Sequence, residues 1–165
     1  MLIVRLAKVA MTAALAAFAF IVTYDNIVDY GTNYEFVKHV LSMDTTFPGN
    51  KLTGRAITDP RIWTLAYAGI IAAEGLVCLL LGVAALVMLF TLRAAPQVFQ
   101  RAKVWLVAGA ALGFLVWFFG FMVVAGEYFA MWQSKTWNGQ EAAFRFYMTL
   151  LGVLIFVNQR DEELG

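Results

Sequence analysis

The stretch RIWTLAYAGIIAAEGLVCLLLGVAALVMLFTL, residues 61–92, decides the fold. After Arg61 it holds a single charge, Glu74. About 20 apolar residues suffice to cross a bilayer as a helix, so this run crosses one with turns to spare. Asp59 and Pro60 before it read as an N-cap and a proline at the first helical position, where the missing N–H does no harm. Pro96 lies just beyond its end, where a helix does not easily continue. Counted from Pro60, the helix is about 50 Å long. That exceeds the hydrocarbon core, so the helix tilts or projects into water.

Three further apolar runs flank it. Residues 2–24 are interrupted near their start by Arg5 and Lys8; residues 104–132 form the third run, and residues 142–157 a shorter fourth. No alternating strand pattern suggests a membrane barrel. Composition agrees: 62 % of the 165 residues are hydrophobic and 14 % charged, with mean hydropathy +0.74, against roughly half and a quarter in soluble domains. The fold class expected is all-α, a polytopic membrane protein forming one domain over residues 1–165. Four transmembrane helices are joined by a first outer loop, residues 25–60, that carries a short amphipathic helix.

Lysine and arginine placement orients the chain. Arg5 and Lys8 flank the first helix, and Arg93, Arg101 and Lys103 crowd the second connection with no acid among them. The first connection mixes Lys38, Lys51 and Arg55 with Asp25, Asp29, Glu35, Asp44 and Asp59; the third has only Lys135. Both termini are therefore expected in the cytoplasm. Trp63, Tyr67, Tyr128, Trp132 and Trp137 fall near the outer interface and Trp105 near the inner one, as aromatic belts do. The start of the chain also has the charges and small residues of a secretory signal peptide. Its apolar run continues through Val22 without a break, which favours an uncleaved helix.

Several chemistries are excluded by counting. A net charge of +1 leaves no basic footprint for nucleic acid. One cysteine, Cys78, allows no intramolecular disulfide, cysteine zinc site or iron–sulfur cluster. One histidine, His39, cannot ligate a haem pairwise within the chain. No nucleophile–base spacing, His-Glu-x-x-His or phosphate-binding glycine loop is present. No catalytic residue, metal or cofactor is indicated, and the expectation is a non-enzymatic protein.

The polar residues inside the spans are the functional candidates, because charge in a membrane is expensive. Glu74 lies about 21 Å along its helix from Pro60, within the hydrocarbon. It reads either as a proton or cation carrier or as an interhelical hydrogen-bond acceptor. Gly113, Gly120 and Glu127 are spaced by sevens, which puts Glu127 on the inward, small-residue face of the third helix; Gly109 extends that face. Arg145 sits just below the outer interface on the fourth helix, at the depth of Glu127, and an ion pair between them is expected. In the first loop, Thr32 and Glu35 fit a capping box, followed by Tyr34, Val37, Val40 and Leu41 on one apolar face. Asn138 and Glu141 fit a similar cap on the fourth helix.

Two blocks carry a family resemblance. Asp29-Tyr30-Gly31-Thr32-Asn33 with residues 36–50, FVKHVLSMDTTFPGN, forms the first; residues 126–134, GEYFAMWQS, with Trp137-Asn138-Gly139-Gln140 and Phe144-Arg145, the second. Together they resemble a bacterial family of predicted small integral membrane proteins, domain of unknown function 2165, over nearly the whole chain. The resemblance implies a four-span protein of the bacterial inner membrane and implies no activity. Both blocks are expected on the outer side, where Glu127, Trp132, Gln133, Trp137, Asn138, Gln140 and Arg145 meet Asp29, Asn33, His39 and Asp44.

Three roles follow. The first is an accessory or scaffold subunit that binds a partner membrane protein or a second copy of itself in the lipid bilayer. The second is a small oligomeric transporter or channel using Glu74 and the Glu127/Arg145 cluster. The third is a membrane enzyme or quinone-linked subunit.

Overall fold

The computed structural model describes residues 2–161. In chain order these form α1 (Leu2–Val28), α2 (Tyr30–Ser42), α3 (Pro60–Phe90), α4 (Pro96–Ala102), α5 (Val104–Phe114) and α6 (Gln140–Asn158). Helix α5 runs on directly into a π-wound segment, Leu115–Tyr128. Strands are absent among the described residues, and four helical runs are long and apolar enough to cross a membrane. The chain is thus an all-α, multi-pass membrane protein.

The helix ends follow local chemistry. Asp59 accepts a hydrogen bond from the Arg61 amide at 2.9 Å, with Pro60 at the first helical position. Helix α3 stops at Phe90, and Pro96 opens the short α4. Helix α1 extends past Tyr24 to Val28, because the chain keeps its α-helical bonding through the polar residues; the Asp29 amide still donates to the Asp25 carbonyl at 2.8 Å. Helix α2 already starts at Tyr30, which puts Thr32 inside the helix instead of at its N-cap, so the capping box does not form. Thr32 donates to Asp29 instead, and Glu35 pairs with Lys38. At α6 the Asn138 side chain accepts from the Gln140 amide at 3.1 Å, while Glu141 turns to Arg145.

The spans form a ring in which α1 packs on α3, α3 on α5, and α5 with its π continuation on α6; α6 meets α1 more sparsely. Packing is closest around Leu81, Met88, Leu106, Leu150 and Val157, all buried. Small residues allow this approach. A Cβ on Gly109 would stand 3.0 Å from Leu81, and one on Gly113 3.0 Å from Leu150. Leu65, Leu79, Phe90, Leu115 and Ile155 face outward, as expected of a surface solvated by lipid chains.

The two ends of the bundle differ. At the end carrying the described termini, three of the basic residues that the sequence places at the interface are buried, while Arg93 and Arg101 are exposed. Arg5, Lys8 and Lys103 are each 1 % exposed. Lys8 donates to the Gln159 carbonyl at 2.8 Å and to Asp161 at 2.9 Å; Lys103 bonds the same two groups. Arg5 donates to the carbonyls of Leu92 and Ala94 at 3.0 and 2.8 Å and lies over the Phe99 ring. At the opposite end, α2 lies across the bundle as a cap. Val40 and Met43 pack there with Phe129, Ala130 and Met131. Beneath the cap, α3 barely touches the π segment, which leaves space between them.

The π winding corrects one expectation. A step of seven residues keeps a face only at 3.6 residues per turn, and hydrogen bonds to the fifth residue back unwind that register. Gly113 is buried, Gly120 half-buried and Glu127 exposed. Glu127 therefore points away from the bundle.

Candidate functional site

The polar residues of the capped end close its two connections onto each other. The His39 ring stacks on Trp137 at 4.8 Å, with its Nδ1 2.8 Å from Asp44. Thr45 donates to the Ser134 hydroxyl at 2.9 Å, and the same hydroxyl accepts from the Trp137 amide. Gln133 accepts from the Phe47 amide at 3.0 Å, and Trp132 meets Phe47 edge-on. Gln140 packs so tightly against Gly126 that a Cβ there would lie 2.6 Å from its Nε2. His39, Asp44, Trp132, Gln133 and Trp137 are thus brought near one another.

Others do not join them. Arg145 pairs with Glu141 one turn earlier on α6, with both side chains exposed. Glu127 has no hydrogen bond or ion pair among the described residues, so the expected Glu127–Arg145 pair is not formed. Asp29 and Asn138 serve local turns, and Asn33 faces inward beneath α2.

That inward side holds the more distinctive arrangement. A cavity of about 340 Å³ lies under α2, among α1, α3, the π segment and α6. Glu74 contributes to its wall and is 2 % exposed. The Asn26 amide donates to Glu74 Oε2 at 2.6 Å, and the Trp117 indole faces the same carboxylate. The Tyr67 hydroxyl donates to the Asn26 carbonyl at 2.9 Å and contacts its Oδ1 at 3.2 Å. Asp25, exposed, and Asn33 stand toward the rim, and Phe36, Phe121 and Phe146 supply apolar wall.

The folding logic is local. Tyr67 and Glu74 lie seven residues apart on regular α3 and so share its inward face. Ala19 and Asn26 do the same on α1, and all four residues are buried. Tyr67 is therefore part of the interior and not of an aromatic belt. Chemically, the cavity offers carboxylate and amide oxygens beside aromatic faces, a set suited to holding a hydrogen-bond donor or a cation.

Sequence reasoning missed Asn26, Tyr67 and Trp117. The seven-residue spacing of Tyr67 from Glu74 was the available signal. The buried Lys8–Asp161–Lys103 cluster was also missed, since it joins residues far apart in the chain.

No characterised protein and no solved structure matches the chain significantly. A family model, described as predicted small integral membrane protein, matches residues 4–160. Four apolar spans and a match over nearly the whole chain place it, plainly, in the predicted small integral membrane protein family, domain of unknown function 2165.

Proposed function

We propose that this chain is a non-enzymatic binding subunit of the bacterial inner membrane whose recognition element is the Glu74 cavity. One observation carries the reading: a buried carboxylate, held by Asn26, stands in the wall of an aromatic-lined cavity. An intramembrane acid is costly to retain, and a cavity of about 340 Å³ falls in the range of small-molecule sites. That size favours a small ligand over a partner polypeptide. The capped-end cluster, whose groups bond one another, serves to hold α2 over the cavity.

Native mass spectrometry of protein extracted in mild detergent tests this. A small molecule retained by the wild type and lost in Glu74→Gln is expected. A molecule retained equally by both, or none in either, overturns the reading.

The basic connection between α3 and α5 supports cytoplasmic termini, with the capped end outside. In a Cys78→Ala background, Lys51→Cys should react with an impermeant maleimide on intact cells, and Arg93→Cys only after permeabilisation. The reverse pattern overturns this orientation.

A further inference from the structure

The Glu74 cavity has a neighbour that shares its wall. A second cavity, of about 350 Å³, lies between α1 and α6 and is also bounded by Trp117 and Phe146. Its lining is otherwise Met11, Leu15, Phe18, Leu81 and neighbouring apolar groups. The only hydroxyl there, Thr149, donates to the Arg145 carbonyl at 2.7 Å. From Met11 to Asp25 helix α1 rises about 21 Å, so the two spaces together follow roughly half the bundle.

Their chemistries are complementary halves. The first cavity is lined by two carboxylates, Asp25 and Glu74, and by no lysine, arginine or histidine. Its side-chain donors are directed at its own acceptors: the Asn26 amide at Glu74, the Tyr67 hydroxyl at Asn26. A free carboxylate or phosphate, with no ammonium of its own to set against the two acids, would meet like charge there. An ammonium has three donors and no acceptor, and so complements the two carboxylates. The second cavity accepts only apolar matter.

We propose that the two cavities hold one lipophilic amine, with its ammonium on Glu74 and its apolar chain passing Trp117 and Phe146 into the α1/α6 groove. This rests on the reading of the Glu74 cavity as a ligand site and adds the class of ligand. The occupant of the groove is the chain of the same molecule whose head the carboxylate holds.

The test uses the full-length protein in phosphatidylcholine nanodiscs, with empty nanodiscs to correct for partitioning. Butylamine, dodecylamine and dodecanol are titrated against wild type, Glu74→Gln and Ala14→Phe. Ala14 lines the groove from an exposed position on α1, so a phenylalanine there narrows the groove from its lipid side. Thr149→Phe, from the α6 side, serves if that variant fails to fold.

Glu74→Gln should weaken both amines tenfold or more, and dodecanol should bind at least tenfold more weakly than dodecylamine. Ala14→Phe should weaken dodecylamine about tenfold and leave butylamine unchanged. If Ala14→Phe and Thr149→Phe alter neither amine while Glu74→Gln weakens both, the groove plays no part and this inference falls, with the cavity reading intact. If Glu74→Gln changes nothing, the cavity reading falls as well. Replacing the lipid with phosphatidylethanolamine separates two sources of the same chemistry. Competition assigns the site to a bilayer aminolipid, and undiminished dodecylamine binding assigns it to a free amine.

Discussion

Asn26 bonds polar groups of α3 from its place on α1. Its amide donates to Glu74 at 2.6 Å, while its carbonyl oxygens receive the Tyr67 hydroxyl. Asn26→Ala leaves a buried carboxylate oxygen without its donor, which should cost about 1–3 kcal/mol. Replacing both partners by apolar groups removes the orphan, so Asn26→Ala with Glu74→Met should recover most of the loss. Unfolding in mixed micelles, run as a double-mutant cycle, checks this; strictly additive losses would show that the two residues do not act as a unit. Glu74 was legible in the sequence because a lone acid in 31 uninterrupted residues of α3 has no bland neighbour to hide among. Asn26 was not, because an asparagine following Tyr24-Asp25 reads as the start of a loop. Only the continuation of α1 to Val28 turns it inward.

The elements show where periodicity carries and where it fails. On α3 the spacing of Tyr67 and Glu74 survives into the fold, since the helix is regular from Pro60 to Phe90. On the third span the same arithmetic failed at Glu127, because the winding changes at Leu115; no residue pattern in the sequence announces that change. The cap α2 was visible as an amphipathic segment; it docks through Tyr30 and Tyr34 on Tyr67, Phe36 on Phe121, the Thr45–Ser134 bond and the apolar cluster around Met43, and Trp137 meets it twice, stacking on His39 and standing edge-on to Phe36. An aromatic stack contributes about 0.5–1.5 kcal/mol beyond its buried area. Trp137→Ala should therefore loosen α2 selectively. Amide hydrogen exchange across residues 30–42 should accelerate about tenfold, a factor equivalent to about 1.4 kcal/mol, while α3 and α5 keep their protection. Uniform acceleration across the bundle would mean that α2 is an integral part of the core and not a separately opening cap.

At the scale of the whole molecule, the chain is closed at its terminal end by one carboxylate. Asp161 takes bonds from Lys8 on α1 and from Lys103 at the head of α5, so it ties the described end of the chain to both spans. Burial pushes its carboxyl up, but the hydrogen bonds and charges of Lys103 and Lys8 outweigh this and hold it below the usual carboxylate range. A carboxyl whose folded value is depressed adds stability that is fully present above its unfolded pKa, about 3.9. That stability is lost as pH falls through the lower folded value. Asp161→Asn leaves two buried ammonium groups without their counter-charge, a change that typically costs about 3–5 kcal/mol for a buried pair. The expected result is a variant clearly less stable than wild type at pH 7, with the gap shrinking below about pH 4 as the wild-type carboxylate is protonated. Thermal unfolding of both proteins across that range measures the difference directly, since every other acid titrates alike in the two. A gap that stayed constant with pH would mean that the cluster is held by packing around Phe99 and by the Gln159 carbonyl, with the aspartate charge contributing nothing.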